Sequence, residues 1–346
     1  VIGLSSAVGQ LAGGLLIQAF GDSEGWRSVF FVNLPIGILT AIFAIRLLPA
    51  GDKHADRSNR MDWLGVTLLS ASLVAILIPL IQGQQDGWHA WTWWTMAAGI
   101  VGIVIFGAWQ VFFTKRGGSA LVPPRLFHHA SFTFGVILAL VYFAAFTSIF
   151  FTLSILWQGG LGHTALESGL LTIPFAIGTA VISSQSTKWA AKIGRSVLVI
   201  GAAMVALGLG ITWYLLANVA VADLNSWMLL PGLLLAGAGN GSFLAPNVQF
   251  IVATVDNSEA GAASGVVQTM QRVGTAIGVA IIGSILFAAL TPDKMMPNLI
   301  GQAFKDGAAA AMLTSALMAL AAFFLVFTLP KRIQLHGAPS AVPAGE

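Results

Sequence analysis

The residues of this sequence that could do chemistry are few, and most stand alone in apolar surroundings. Arg272 closes the segment "GVVQTMQR", with Gln268 and Gln271 just before it and a charge-free run over 273–292 just after. Asn240, Asn247 and Gln249 punctuate another apolar run, and Tyr142, Phe146 and Phe150 belong to an aromatic-rich stretch that also holds Phe134, Phe143 and Phe151. A large apolar pocket with aromatic walls and a few polar anchors suits lipophilic molecules. Bond-breaking chemistry has little to work with. The six His residues, 54, 89, 128, 129, 163 and 336, fall in connecting segments or the tail, and the adjacent pair His128 and His129 has poor spacing for chelation. Cys is absent, which removes thiolate metal sites and Cys nucleophiles. The run "GAGNG" at 237–241 has no preceding strand and no following Lys, so it reads as small-residue helix packing rather than a phosphate loop. No Walker signature is present, so ATP does not drive this chain. No enzyme, metal or cofactor is expected.

The elements that must position these residues follow from composition. The 346 residues are 57% hydrophobic and 8% charged, with a mean hydropathy of +0.86, whereas soluble domains carry roughly a quarter charged residues. Ten stretches of at least 18 residues lack Asp, Glu, Lys and Arg: 1–21, 28–45, 63–85, 87–114, 126–166, 168–187, 196–222, 224–255, 273–292 and 307–330. A bilayer core takes about 20 apolar residues to cross, and buried soluble helices do not account for ten such runs in series. The expected fold is an all-α polytopic membrane protein with ten transmembrane helices, at 1–20, 28–48, 62–82, 92–113, 131–156, 165–186, 196–217, 227–253, 265–290 and 308–329. Its first partner is the lipid bilayer.

Charge placement sets the orientation. With the first span running outward, Arg46, Lys53, Arg57, Arg60, Lys115, Arg116, Arg125, Lys188, Lys192, Arg195, Lys331 and Arg332 are cytoplasmic, against Arg27, Lys294 and Lys305 outside. This is the asymmetry of positive-inside insertion, and it puts the C-terminus in the cytoplasm. Trp88, Trp91, Trp93 and Trp94 cluster at one outer connection, as an aromatic belt would. The net charge of +3 comes from these loops and gives no ground for nucleic-acid binding.

Within a bilayer the polar residues acquire energies. An Arg at a helix centre costs about 2.5–3.5 kcal/mol unless water or a partner receives it. Arg272 therefore either faces a polar cavity or snorkels to the inner headgroups, and the sequence leaves both open. Bare amides in lipid are also costly, which directs Asn247 and Gln249 towards a polar path. At any single aromatic position helix or lipid packing is the commoner role. None of the thirteen acids lies mid-span; Asp62 and Glu167 stand at span entrances, and Asp62 reads as a helix N-cap.

Gly9/Gly13 and Gly274/Gly278 repeat a four-residue spacing on two outward-running spans. Such pairs let helix backbones touch, and their recurrence suggests duplicated halves. "GLSSAVGQLAGG" at 3–14, containing Gly9, Gly13 and Gly14, resembles the antiporter signature of the fourteen-span drug:proton antiporters of the major facilitator superfamily, with Gln10 where that signature has Pro. "GWRSVFFVNLPIG" at 25–37, with Arg27, Asn33 and Pro35, resembles the family's next span. "MDWLG" at 61–65, "ALVPPRLFHHASFTFGVI" at 120–137, "HTALESGLLTIPFAIG" at 163–178, "KWAAKIGRSVLVIGAAM" at 188–204 and "GLLLAGAGNGSFLAPN" at 232–247 extend the resemblance to later spans in order.

The resemblance implies the major facilitator fold, with this chain covering spans five to fourteen of fourteen and four spans preceding it. Residues 1–48 would be the last two helices of the N-terminal half, 49–130 an inserted helix pair with cytoplasmic linkers, 131–330 the C-terminal six-helix half, and 331–346 a disordered tail. It implies a monomer in the plasma membrane that exchanges protons for lipophilic or cationic small molecules. The proton-carrying carboxylate would lie in the first span of that family. Tyr142, Phe146, Phe150, Asn240, Asn247, Gln249, Gln268, Gln271 and Arg272 are the candidate substrate-cavity residues. Two alternatives stay open: a non-transporting remnant or partner subunit, and an exporter of an endogenous metabolite.

Overall fold

The computed structural model describes residues 2–21, 25–47, 62–86, 88–118, 120–252, 255–256, 259–290 and 299–331, all in helices and the turns that join them. The helices are α1 (Ile2–Phe20), α2 (Gly25–Phe31), α3 (Asn33–Leu47), α4 (Trp63–Asp86), α5 (Ala90–Lys115), α6 (Ala130–Ile155), α7 (Ala165–Leu171), α8 (Ile173–Ile193), α9 (Ser196–Asn218), α10 (Ser226–Val252), α11 (Ala260–Ala288) and α12 (Ile300–Val326). Among the described residues, nine helical stretches are long and apolar enough to cross a membrane. They coincide with nine of the ten expected spans. The remaining one is α1, a helix of 19 residues that is not among the nine. The tail from 332 and the whole 49–61 linker lie outside the described residues.

Local chemistry sets the breaks. Pro35 cannot donate to the Phe31 carbonyl, and the span 25–47 is interrupted at Val32 into α2 and α3. Thr164 and Glu167 form a reciprocal capping box that starts α7. Trp88, with φ of 57°, donates its N–H to the Gly83 carbonyl at 2.8 Å and closes the α4–α5 hairpin. The last span starts eight residues earlier than the charge pattern suggests, because both of its charges are accommodated. Lys305 is buried and donates to the Val219 carbonyl at 2.9 Å, at the C-terminal end of α9. There the helix dipole favours a cation. Asp306 accepts from Gln302 at 2.7 Å.

The core is built by α6 and α8–α12. It is held at small residues, as expected where lipid offers helices no hydrophobic drive to associate. Gly237 and Gly241 of α10 lie against the Phe175 and Thr179 carbonyls of α8. Gly274 and Gly278 of α11 lie so close to α6 that an added methyl group would overlap the Leu140 and Ala144 carbonyl oxygens. The other half of the proposed repeat behaves differently. A methyl group at Gly9 or Gly13 would meet nothing within 4 Å among the described residues, so these two make no close helix contact there. Gly14 is the one that packs: an added methyl group there would lie 3.1 Å from the Leu166 Cα, tighter than an ordinary contact. A four-residue spacing selects a helix face, but it does not say which of two adjacent faces meets a neighbour.

Candidate functional site

Two groups of the sequence-derived residues assemble on α6, α8, α10 and α11. The first is a buried polar pair inside an aromatic stack. Tyr142, 1% exposed, donates its hydroxyl to Asn240 Oδ1 at 2.9 Å, and its ring stacks on Phe243 with centroids 3.8 Å apart. Asn240 Nδ2 reaches Thr179 Oγ1 at 3.4 Å. The Thr179 hydroxyl lies 3.0 Å from both the Phe175 and Gly237 carbonyl oxygens, and donates to one of them at a time. The close approach of α10 to α8 at Gly237 makes this bridge short enough to form. Phe146 and Phe150 pack on Phe175 with centroids 5.5 and 5.2 Å away.

Tyr142 and Asn240 do not line an open cavity in this conformation; they satisfy each other in the helix core. Phe146 and Phe150 are half-buried at its edge. Periodicity cannot separate these cases, since an aromatic face turned inward looks the same whether it meets a ligand or another helix. Asn247 is also buried, at 1% exposed, and its Oδ1 has no partner among the described residues. Thr152 Oγ1 on α6 shares that condition. Such orphans are rare enough to mark places where a ligand or water is received. Gln249 is exposed, turned about 200° from Asn247 around the helix, and joins neither group.

The second group is Gln268, Gln271 and Arg272 on α11, of which Arg272 borders a cavity of about 720 Å³ between α4, α6 and α11. Leu80 and Ile81 of α4, Phe151 of α6, and Arg272, Thr275 and Ala276 of α11 line it. Arg272 is the thirteenth residue of a 29-residue helix, about 18 Å from one end and about 24 Å from the other. It is exposed, and among the described residues it has no acidic partner within salt-bridge distance. Gln268, one turn earlier, is exposed, and Gln271 is half-buried. The Thr275 hydroxyl lies 3.1 Å from that of Thr147 on α6. The cavity gives the Arg272 side chain an alternative to lipid.

The N-cap expected at Asp62 is present, and Gln110, Arg195 and Arg125 are anchoring residues that went unread in the sequence. Asp62 caps α4 by accepting from the Gly65 N–H at 2.8 Å, and also accepts from Trp109 Nε1 at 3.0 Å and Gln110 Nε2 at 2.7 Å. Gln110 in turn accepts from the Val122 N–H at 3.1 Å, tying the hairpin to the linker before α6. Gln110 is a lone amide in an apolar run, and that was the available signal. Arg195 donates through Nη1 to the Phe327 and Leu329 carbonyls at 2.7 and 2.5 Å, clasping the end of α12. Arg125 pairs with Glu259 across the same side of the molecule. Both Arg residues were counted only as topology signals. The motif residues of the first spans lie apart from this site: Arg27 is over the Trp26 ring at 5.3 Å, and Asn33 donates to the Val29 carbonyl at 3.4 Å. Among the described residues no group of three or more His, Asp or Glu is placed to hold a metal.

Helices of membrane length, glycine-mediated contacts and an apolar cavity bordered by an intramembrane cation define a polytopic membrane protein. Residues 135–344 match the family profile described as Major Facilitator Superfamily. The chain belongs to that superfamily. It is 34% identical over 290 residues to the "Probable actinorhodin transporter" of Streptomyces coelicolor, covering 84% of this chain and 50% of that protein. It is 28% identical over 325 residues to "Multidrug resistance protein Stp" of Mycobacterium tuberculosis, covering 89% and 57%. It is 30% identical over 276 residues to "Cephamycin export protein CmcT" of Amycolatopsis lactamdurans, covering 80% and 56%. The chain spans about half the length of the curated relatives it matches.

Proposed function

We propose that this chain forms the larger part of a secondary exporter that moves lipophilic small molecules out across the plasma membrane in exchange for protons. The observation that carries the reading is the cavity of about 720 Å³, walled by apolar side chains and bordered by one cation. Its size falls in the range of drug-sized sites. The relatives' names as transporter, resistance and export proteins support it. In this reading the chain corresponds to spans five to fourteen of a fourteen-span protein, with 131–330 as the C-terminal six-helix half and 49–130 as the inserted pair. Substrate meets Gln268, Gln271 and Arg272 from α11 and the Phe146–Phe150 edge from α6. The buried Tyr142–Asn240 pair and Asn247 enter the path when α6 and α10 separate during alternating access. The cytoplasmic C-terminus and monomeric state belong to the same proposal.

The test is dye efflux from energised cells expressing the chain joined to the first four spans of a fourteen-span relative, with and without an uncoupler. Uncoupler-sensitive efflux above that of empty cells is expected. Equal dye retention in both would contradict export, and efflux indifferent to the uncoupler would contradict proton coupling alone. A second reading, export of one endogenous metabolite rather than many drugs, is favoured by two relatives being named for single compounds. Competition by a panel of unrelated lipophiles separates the two.

A further inference from the structure

We infer that the cavity beside Arg272 binds amphipathic anions, compounds with an apolar body and one sulfonate, carboxylate or phosphate group, in preference to cations of the same body. The inference rests on the export reading for its biological meaning, but its binding claim stands on geometry. The walls supplied by Leu80, Ile81, Phe151 and Ala276 are apolar and suit a hydrocarbon or ring system. The charge at their edge is a guanidinium, which is planar, permanently charged and matched to two oxygens of one anion. Among the described residues no carboxylate is in salt-bridge reach to neutralise it. The Thr275 hydroxyl, on the next turn of the same helix, supplies a second polar group on the wall. Midway along a membrane-length helix, an uncompensated positive charge attracts anions and repels cations more strongly than at a wet surface. The inference narrows the substrate class of the proposed exporter: lipophilic cations are disfavoured at this site.

Two kinds of molecule present this chemistry, a free lipophilic anion and an anionic phospholipid, and the test separates them. The 346-residue chain is purified into nanodiscs of phosphatidylcholine. Pyrenesulfonate and pyrenemethylammonium are titrated in, and binding is read as energy transfer from protein Trp to pyrene, with empty nanodiscs subtracted. Pyrenesulfonate is expected to bind at least about tenfold more tightly than the cation, the worth of one charge-assisted bidentate contact. Arg272→Gln should remove that preference, Arg272→Lys should keep part of it, and Ala276→Trp should weaken both probes by filling the space. Size-exclusion profiles matching the parent show that each variant is folded. Displacement of pyrenesulfonate by added phosphatidylglycerol supports the inference with lipid as occupant, and its absence supports it with a free anion. Equal affinity for the two probes, or an Arg272→Gln protein that still prefers the anion, overturns it. Efflux that fails while the preference holds would sink the export reading and leave this inference standing; the opposite result would sink this inference alone.

Discussion

Replacing Gly278 by Ala should destabilise the protein, while the same change at Gly265, on the same helix, should stabilise it. At Gly278 the added methyl group would overlap the carbonyl oxygen and backbone of Ala144, and at Gly274 those of Leu140. Backbone cannot rotate out of the way as a side-chain tip can, so α11 must move away from α6 along much of their shared length. Overpacking of this kind costs about 1–3 kcal/mol. At Gly265 an added methyl group meets nothing within 4 Å, and the gain in helix propensity is about 0.5–1 kcal/mol. Thermal unfolding in detergent, followed by loss of the monodisperse size-exclusion peak, should move by about 2 °C per kcal/mol. Gly278→Ala and Gly274→Ala should melt several degrees below the parent, with Gly265→Ala at or slightly above it. If all three variants melt together, the α6–α11 contact is not the close backbone packing described.

Tyr142→Phe leaves Asn240 Oδ1 without its buried donor and should lower stability by about 1 kcal/mol; a melt unchanged from the parent would show that the pair is not formed. Arg195→Ala removes both contacts to the Phe327 and Leu329 carbonyls. It should speed limited proteolysis at the C-terminal end, with Arg195→Lys intermediate, and identical digestion of all three would refute the clasp. For topology, single Cys residues at His128 and Lys192 should resist an impermeant maleimide in intact cells, whereas Cys at Trp227 should react. Ready labelling of the first two would reverse the orientation.

Much of the helix layout was legible because membrane length leaves a direct mark: a helix that crosses lipid carries few charges, so charge-free runs draw its outline. The outline failed at α12, where Lys305 and Asp306 lie inside the helix because a carbonyl and an amide receive them. Contacts were less legible. Gly274 and Gly9 have the same spacing to their partner glycines, yet among the described residues only the first pair meets a neighbouring helix. At the candidate site, Arg272 stood out because a lone cation in an apolar run demands an explanation. Tyr142 and Asn240 stood out for the same reason, but their explanation is each other, through a pairing 98 residues apart that no local pattern encodes. Arg195 and Gln110 were missed because their partners are backbone groups and a distant carboxylate.

In the function proposed above, lipophilic compounds cross the membrane through the cavity beside Arg272 in exchange for protons. The most direct measurement is proton flux in inside-out vesicles holding the chain joined to four N-terminal spans, acidified inside and loaded with a pH-sensitive dye. Adding a transported compound should raise the internal pH as protons leave, and Ala276→Trp, which fills the cavity, should abolish the response while the protein remains folded in the membrane. Substrate-dependent proton release that persists unchanged in Ala276→Trp would contradict the account.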